Sequence, residues 1–229
     1  MTDLMIDTDR RAALEAAEAK ALAMFDAIEA LGLVTPGRTE GDVARDIFAL
    51  AEARFGVAQH WHRQIVRTGA NTLTTASDYP DELTIAADDT VYVDLGPVFE
   101  AWEADIGRTY ALGPSPQRRR LVADLPRVFD QVQRHYHATP AINGAELYAF
   151  AQAAADAAGW AFGGAIAGHL VGEFPHTRWP LERSGAAIWP ANGTSMREPD
   201  HLGRERHWIL EIHLVDAART FGGFYERLL

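Results

Sequence analysis

Four carboxylates stand in otherwise apolar runs of this chain: Asp94 in TVYVDL, Asp105 in WEADIGRTY, Glu211 in WILEIHLVD and Glu226 in FGGFYERLL. A carboxylate among apolar side chains is costly to ionise, and two that face each other on a sheet repel. The runs around Asp94 and Asp105 read as a hairpin turning at Phe99 and Glu100, which sets the two acids opposite each other. The runs around Glu211 and Glu226 read as a second hairpin, turning at Ala218 and Arg219, with the same outcome. Shared cations would make both arrangements favourable, because four carboxylate charges balance two divalent ions. His169 and His176, in GHLVGEFPH, add imidazole, a good ligand beside carboxylates. With His169 the set is oxygen-rich with one nitrogen, which suits manganese, iron(II) or cobalt, and zinc less exclusively.

Composition removes several alternatives. The chain has no cysteine, so disulfides, iron–sulfur clusters, thiolate zinc sites and a cysteine nucleophile are excluded. Its net charge of −11 argues against binding nucleic acid or an anionic membrane through bulk charge. The one basic run, Arg118-Arg119-Arg120, reads as a solvated helix face. The opening stretch MTDLMIDTDRRAALEAAEAK has no apolar signal core, and no run approaches membrane-spanning length. A cytoplasmic protein is expected.

These residues need elements to position them. Residues 9–31 read as an amphipathic helix stopped by Gly32 and Pro36. Thr39 to Arg54 reads as a second, with Thr39 and Asp42 as a capping box and Gly56 after its end. A strand from Trp61 to Thr68, the loop GANTLTTASDYPDEL and the hairpin 90–112 follow. The second half repeats the order: a helix over 116–138 bent at Pro126, a helix over 143–158 ended by Gly159, a Gly-rich strand-like run from Ala161 to Pro175, a loop over 176–206 and a hairpin from His207 to Leu228. IFALAEARFG and LYAFAQAAADAAG even look alike, so helix–helix–hairpin occurs twice, a weak internal duplication.

Asp94, Asp105, His169, Glu211 and Glu226, in this order, resemble the five metal ligands of the methionine aminopeptidase, prolidase and creatinase superfamily. VDLGPVFEAWEADIGRTY resembles its first signature and GHLVGEFPH its H-x-x-G-x-x-x-H stretch; the short gap from Glu211 to Glu226 is similar to the prolidase and aminopeptidase P branch. The resemblance spans roughly residues 10 to 229. It implies an α+β pita-bread fold, a pseudo-two-fold helix–helix–hairpin duplication around a curved antiparallel sheet. It also implies one catalytic domain over 1–229, with repeats near 10–112 and 116–229. The implied activity is a metallopeptidase-like hydrolase of the aminopeptidase type, acting on a small peptide or amide, Xaa-Pro or related. A hydroxide held between two metal ions would attack the carbonyl carbon. By the same resemblance, His176 donates to the developing oxyanion, and Glu211 both binds metal and shuttles a proton. A homodimer is an expectation by analogy alone.

The sequence departs from that pattern in several places. Where the family has a substrate-binding histidine, about seventeen residues before the first Asp, this chain has Ser77. His60 and His62 lie nearby without matching the spacing. Thr177-Arg178-Trp179-Pro180 replaces the usual Glu and Pro, Ile212 replaces the Pro after the first Glu, and the extra N-terminal domain of prolidases is not expected. Two other readings therefore stay open: a non-peptide C–N hydrolase of the creatinase type, and a catalytically inactive binding module. His60, His62, His135, His137, His201 and His207 read as structural or surface residues. His213, on the same strand face as Glu211, is a candidate for orienting a ligand. Trp61, Trp102, Trp160, Trp179 and Trp189 read as core or pocket wall, and the loop 176–206 as a shaper of specificity.

Overall fold

Helix boundaries follow from side chains that satisfy the terminal amides. In a computed structural model of the chain, which describes residues 7–176 and 185–229, α1 spans Asp7–Ala30 and α2 spans Glu40–Phe55. Thr39 accepts from the Asp42 amide, and the Asp42 carboxylate accepts from the Thr39 amide, so the capping box forms. Gly56 ends α2 at φ +66°, a left-handed conformation that carries no Cβ penalty in glycine. In the second half, α3 spans Pro116–Ala138 and continues through Pro126. A second capping box, Asn143 with Glu146, starts α4 at Gly144–Ala157.

The strands are β1 Gln59–His60, β2 Ile65–Thr68, β3 Thr90–Leu95, β4 Pro97–Phe99, β5 Trp102–Glu103, β6 Ile106–Ala111, β7 Ala161–Phe162, β8 Leu170–Val171, β9 His207–Val215 and β10 Gly222–Leu228. The main sheet is antiparallel in the order β2-β3-β6-β10-β9-β7, and β8 also pairs with β9. The two hairpins, β3–β6 and β9–β10, therefore meet at the centre through β6 and β10. Each half brings its own helices. Met24, Phe25, Ile28 and Ile47 pack with Val91, Val93 and Ile106 in one core, and Leu121, Leu125, Leu147 and Ala151 with Leu210, Ile212 and Leu214 in the other. Helix–helix–hairpin thus occurs twice around one sheet, the α+β arrangement expected.

Four local features differ from expectation. The first hairpin breaks at Gly96, where the chain leaves β3 and joins a second small sheet, β1-β4-β5. Of Trp61 to Thr68 only Ile65–Thr68 is strand, and His60 pairs with Pro97 in that small sheet. Ala161 to Pro175 is not one strand but the short β7 and β8, separated by a segment that includes Gly168 at φ +135°. The basic run also does more than face solvent: Arg118 lies over the Phe221 ring, and Arg119 and Arg120 donate to the carbonyls of Gly113 and Ala158. Thr177 to Pro180, Trp179 included, lies outside the described residues, as does much of the specificity loop's first part. Among the described residues, no helix is long and apolar enough to cross a membrane.

Candidate metal centre

Strand register lines the acids up across the centre of the sheet. Asp94 on β3 faces Gly107 on β6, Gly107 faces Glu226 on β10, and Glu226 faces Glu211 on β9. Glu211 and Glu226 are thus directly opposed. Asp94 and Asp105, expected to face each other, do not. Phe99 pairs with Trp102, and Glu100 takes a left-handed φ of +60°, so the turn is centred one residue later than expected. Asp105 is therefore a diagonal neighbour of Asp94, two positions from Gly107 and on the same pleat face. A Cβ on Gly107 would lie 2.5 Å from the Phe224 ring and 3.1 Å from Glu226 Cβ. Glycine there leaves the row of acids room to converge.

Two histidines close on the acids. His169 Nε2 lies 3.0 Å from Asp105 Oδ2 and 3.8 Å from Glu211 Oε1. His62 Nε2 lies 3.2 Å from Asp105 Oδ1 and 3.4 Å from Asp94 Oδ1. From sequence, His62 falls among the structural or surface histidines; the fold corrects this and places it inside the carboxylate cluster. No local signal in the sequence marks it: His62 precedes the strand that pairs with β3, and His169 the short strand β8 that pairs with β9. His60 does stay apart, its ring tilted 35° against Phe48.

Without a counter-charge this cluster is poorly satisfied. Asp105 and Glu226 are each 2 % exposed, and Asp94 Oδ1 and Glu226 Oε2 are buried with no hydrogen-bond partner. Burial pushes Asp94 up to about 7 and Glu211 up to about 8, against the pull of His62 and His169 respectively. Burial and the neighbouring Asp105 raise Glu226 well above the carboxylate range. Burial would also raise Asp105, but contacts with His169 and His62 hold it down to about 2. Burial opposes charge on both histidines, yet the carboxylates beside them raise each to about 9. Orphaned carboxylate oxygens beside imidazole nitrogens are the donor set that divalent cations take. The groups His62–Asp94–Asp105 and Asp105–His169–Glu226 each converge closely enough to hold a metal ion, so the residues present fit divalent metal.

The charge pattern predicts how the metal-free protein responds to pH. Asp94 and Glu211 are raised, so their contribution is full below their ordinary 3.8 and 4.5 and is lost as pH rises through about 7 and 8. His62 and His169 are also raised; theirs is full below 6.5 and lost through about 9. Asp105 is lowered; its contribution is full above 3.8, is lost only as pH falls toward about 2, and is constant between pH 6 and 9. Chelator-treated protein should therefore melt at a lower temperature at pH 9 than at pH 6, and added manganese or cobalt should remove most of that decline. A metal-free melting temperature that is level or rises over this range would contradict the pattern.

A cavity of about 680 Å³ opens over the cluster, lined by Trp61, Tyr79, Tyr92, Ile166 and Phe224 among others, a size that suits a small organic ligand. Ser77 is at its edge, and its Oγ lies 3.0 Å from Thr75 Oγ1. His213 also borders the cavity, but its Nε2 donates to the Thr72 carbonyl at 2.8 Å, so its fixed partner is a backbone turn and not Glu211. His176 stacks on His169, ring centroids 5.7 Å apart and 10° from parallel. Glu103, buried at 1 % exposure, accepts from the His176 amide at 3.0 Å and from Nδ1 at 2.5 Å. That partnership has no local sequence signal, because Glu103 comes from the small sheet in the other half of the chain. Trp61 packs edge-on against His62, His169 and His176 together.

The sequence model of metallopeptidase family M24 matches residues 11–200. Among solved structures, a prolidase from Thermococcus sibiricus aligns at 20% identity and TM-score 0.70, covering 97% of this chain and 56% of that one. A dipeptidase from Mycobacterium ulcerans aligns at 27% identity and TM-score 0.66, covering 95% and 55%. A methionine aminopeptidase from Rickettsia prowazekii aligns at 14% identity and TM-score 0.70, covering 100% and 95%. The chain thus spans a little over half the length of the prolidase and dipeptidase it matches. No curated protein matches the sequence.

Proposed function

Since the chain belongs to metallopeptidase family M24 and has its pita-bread fold, we propose that it is a dinuclear metal-dependent hydrolase of the aminopeptidase type. Its substrate is a short peptide or related amide, Xaa-Pro among the candidates, and its setting is the cytoplasm. The observation that carries this reading is the convergence of Asp94, Asp105, His169, Glu211 and Glu226 beneath one cavity, with buried carboxylate oxygens that no protein donor satisfies. Asp94 and Asp105 would hold one ion, and Asp105, His169, Glu211 and Glu226 the other, with manganese, iron(II) or cobalt the favoured metals. When bound, the ions supply Lewis acidity, lowering the pKa of water and polarising a carbonyl oxygen.

The remaining roles belong to the chain's own side chains. Glu211 takes the proton from the attacking water and returns it to the leaving amine. His176, fixed by Glu103, donates to the oxygen that gains charge. The apolar walls, Trp61, Tyr92 and Phe224, keep bulk water from the reacting bond. His176→Ala should lower turnover about a hundredfold while metal content stays near normal, and Glu103→Gln should give a smaller loss of the same kind. Loss of metal together with turnover in His176→Ala would show that its role is structural.

A creatinase-type C–N hydrolase acting on a non-peptide amide is the second reading. It is favoured by Ser77, which brings a hydroxyl to the cavity edge where the family pattern has an imidazole. A binding module without catalysis has no need of the orphaned acids. The deciding experiment loads the protein with manganese or cobalt and screens a dipeptide and tripeptide library beside small acyl amides and guanidino compounds. Metal-dependent release of N-terminal residues supports the peptidase, and cleavage confined to non-peptide amides supports the second reading. No hydrolysis by a protein that holds two ions would overturn both.

A further inference from the structure

We infer that His62 is itself a metal ligand, completing the position formed by Asp94 and Asp105, so that each of the two ions takes one imidazole. The inference deepens the dinuclear reading above and rests on it.

Distances come first. Two donors about 2.1 Å from a shared ion, at angles of roughly 90–110°, lie about 3.0–3.4 Å apart. His62 Nε2 is 3.2 Å from Asp105 Oδ1 and 3.4 Å from Asp94 Oδ1, the same spacing that His169 keeps from Asp105 Oδ2 at 3.0 Å. His62 Nε2 makes its hydrogen bond with Asp105 Oδ1, and Asp94 Oδ1, though close, has no hydrogen-bond partner. A histidine serving only to orient Asp94 would satisfy this oxygen.

Ring orientation comes second. His62 Nδ1 is 2.6 Å from the Arg63 carbonyl, and a carbonyl only accepts, so Nδ1 carries a proton. Nε2 is the nitrogen that faces the carboxylates, at 3.2 Å from Asp105 Oδ1, and its proton is the one a cation would displace. His169 is held in the same way, with Nδ1 at 2.8 Å from the Leu170 carbonyl. In each case a ring is locked by the carbonyl of the next residue, the outer contact that fixes the tautomer of a ligating histidine.

Position in the fold comes third. Ile65 on β2 pairs with Asp94, and Leu170 on β8 pairs with Trp208 on the Glu211 strand. His62 therefore enters the cluster beside the Asp94 strand and His169 beside the Glu211 strand, one in each half. Room has been kept for His62: a Cβ on Gly96 would lie 2.3 Å from its Cδ2 and 2.5 Å from Trp61 Nε1. The Trp61 amide donates to the Gly96 carbonyl at 2.9 Å, which holds the two segments together. A nitrogen at this second position raises its preference for cobalt or zinc over manganese relative to an all-oxygen set.

The test is a cobalt(II) titration followed by X-ray absorption and visible spectroscopy, without substrate. In the wild-type protein the imidazole count should stay near one per ion as the second equivalent binds. His62→Ala should keep the first ion with its spectrum unchanged and bind the second at least about tenfold more weakly; His169→Ala should show the reverse. Wild-type protein with two ions but half an imidazole per ion overturns the assignment and leaves the dinuclear reading intact. So does a His62→Ala variant with both affinities and spectra unchanged, even if its KM rises. Wild-type protein that binds no cobalt overturns both. The wild-type imidazole count stands even if a variant fails to fold.

Discussion

Asp105→Ala should lose at least one metal ion per chain and reduce hydrolysis on the order of 10³-fold or more, since several kcal/mol of charge stabilisation go with the ion. Asp105 is the one carboxylate in contact with both histidines, through Oδ1 to His62 and Oδ2 to His169. It is also the acid that these contacts keep ionised while burial raises its three neighbours. Removing it takes away the link between the two positions. The variant should still fold, because Asp94, Glu211 and Glu226 can hold protons in the metal-free state. Elemental analysis after dialysis, circular dichroism and peptide hydrolysis measure the three parts of this expectation. Wild-type metal stoichiometry in Asp105→Ala would sink the metal assignment.

Gly168→Ala should cost about 3 kcal/mol or more and release His169 from the cluster. At φ +135° the backbone is in a region closed to residues with a Cβ. A Cβ there would also lie 2.0 Å from the Ile209 carbonyl oxygen, which is backbone and cannot swing away. The surrounding bonds leave no slack: Ile188 N donates to Gly168 O at 2.8 Å, Ile209 N to His169 O at 2.8 Å, and Glu211 N to Ala167 O at 3.0 Å. The strain therefore reaches His169 and Glu211 together. For a chain of this length the loss corresponds to a melting temperature lower by roughly 6–12 °C, with weaker metal binding beside it. Gly203→Ala is the control, since it shares a positive φ but has nothing within 4 Å of the added carbon. Equal losses in the two variants would mean that backbone preference alone sets the cost.

Much of this architecture is written locally. The caps at Thr39–Asp42 and Asn143–Glu146 are short-range hydrogen-bond patterns, and a run such as WILEIHLVD with a lone acid needs no distant information to be read as a strand with a problem. The Glu211–Glu226 opposition follows from the length of one turn. The Asp94–Asp105 register escaped the same logic because Phe99 pairs with Trp102, which centres the turn on Glu100 and Ala101, one residue later than expected. Nothing local reveals that β6 meets β10, which puts Gly107 between Asp94 and Glu226 and joins two separate acid pairs into one row. Nor does it reveal that Glu103 grips His176 from seventy-three residues away, or that His62 reaches Asp94 and Asp105 from across the break at Gly96. By itself the sequence determined which acids stand in apolar strand-like runs and in which order they occur, since residue type and strand pattern are properties of short segments. Only the tertiary structure decided their company, because side-chain neighbours across a sheet depend on strand order and register, which are set by the packing of the whole chain.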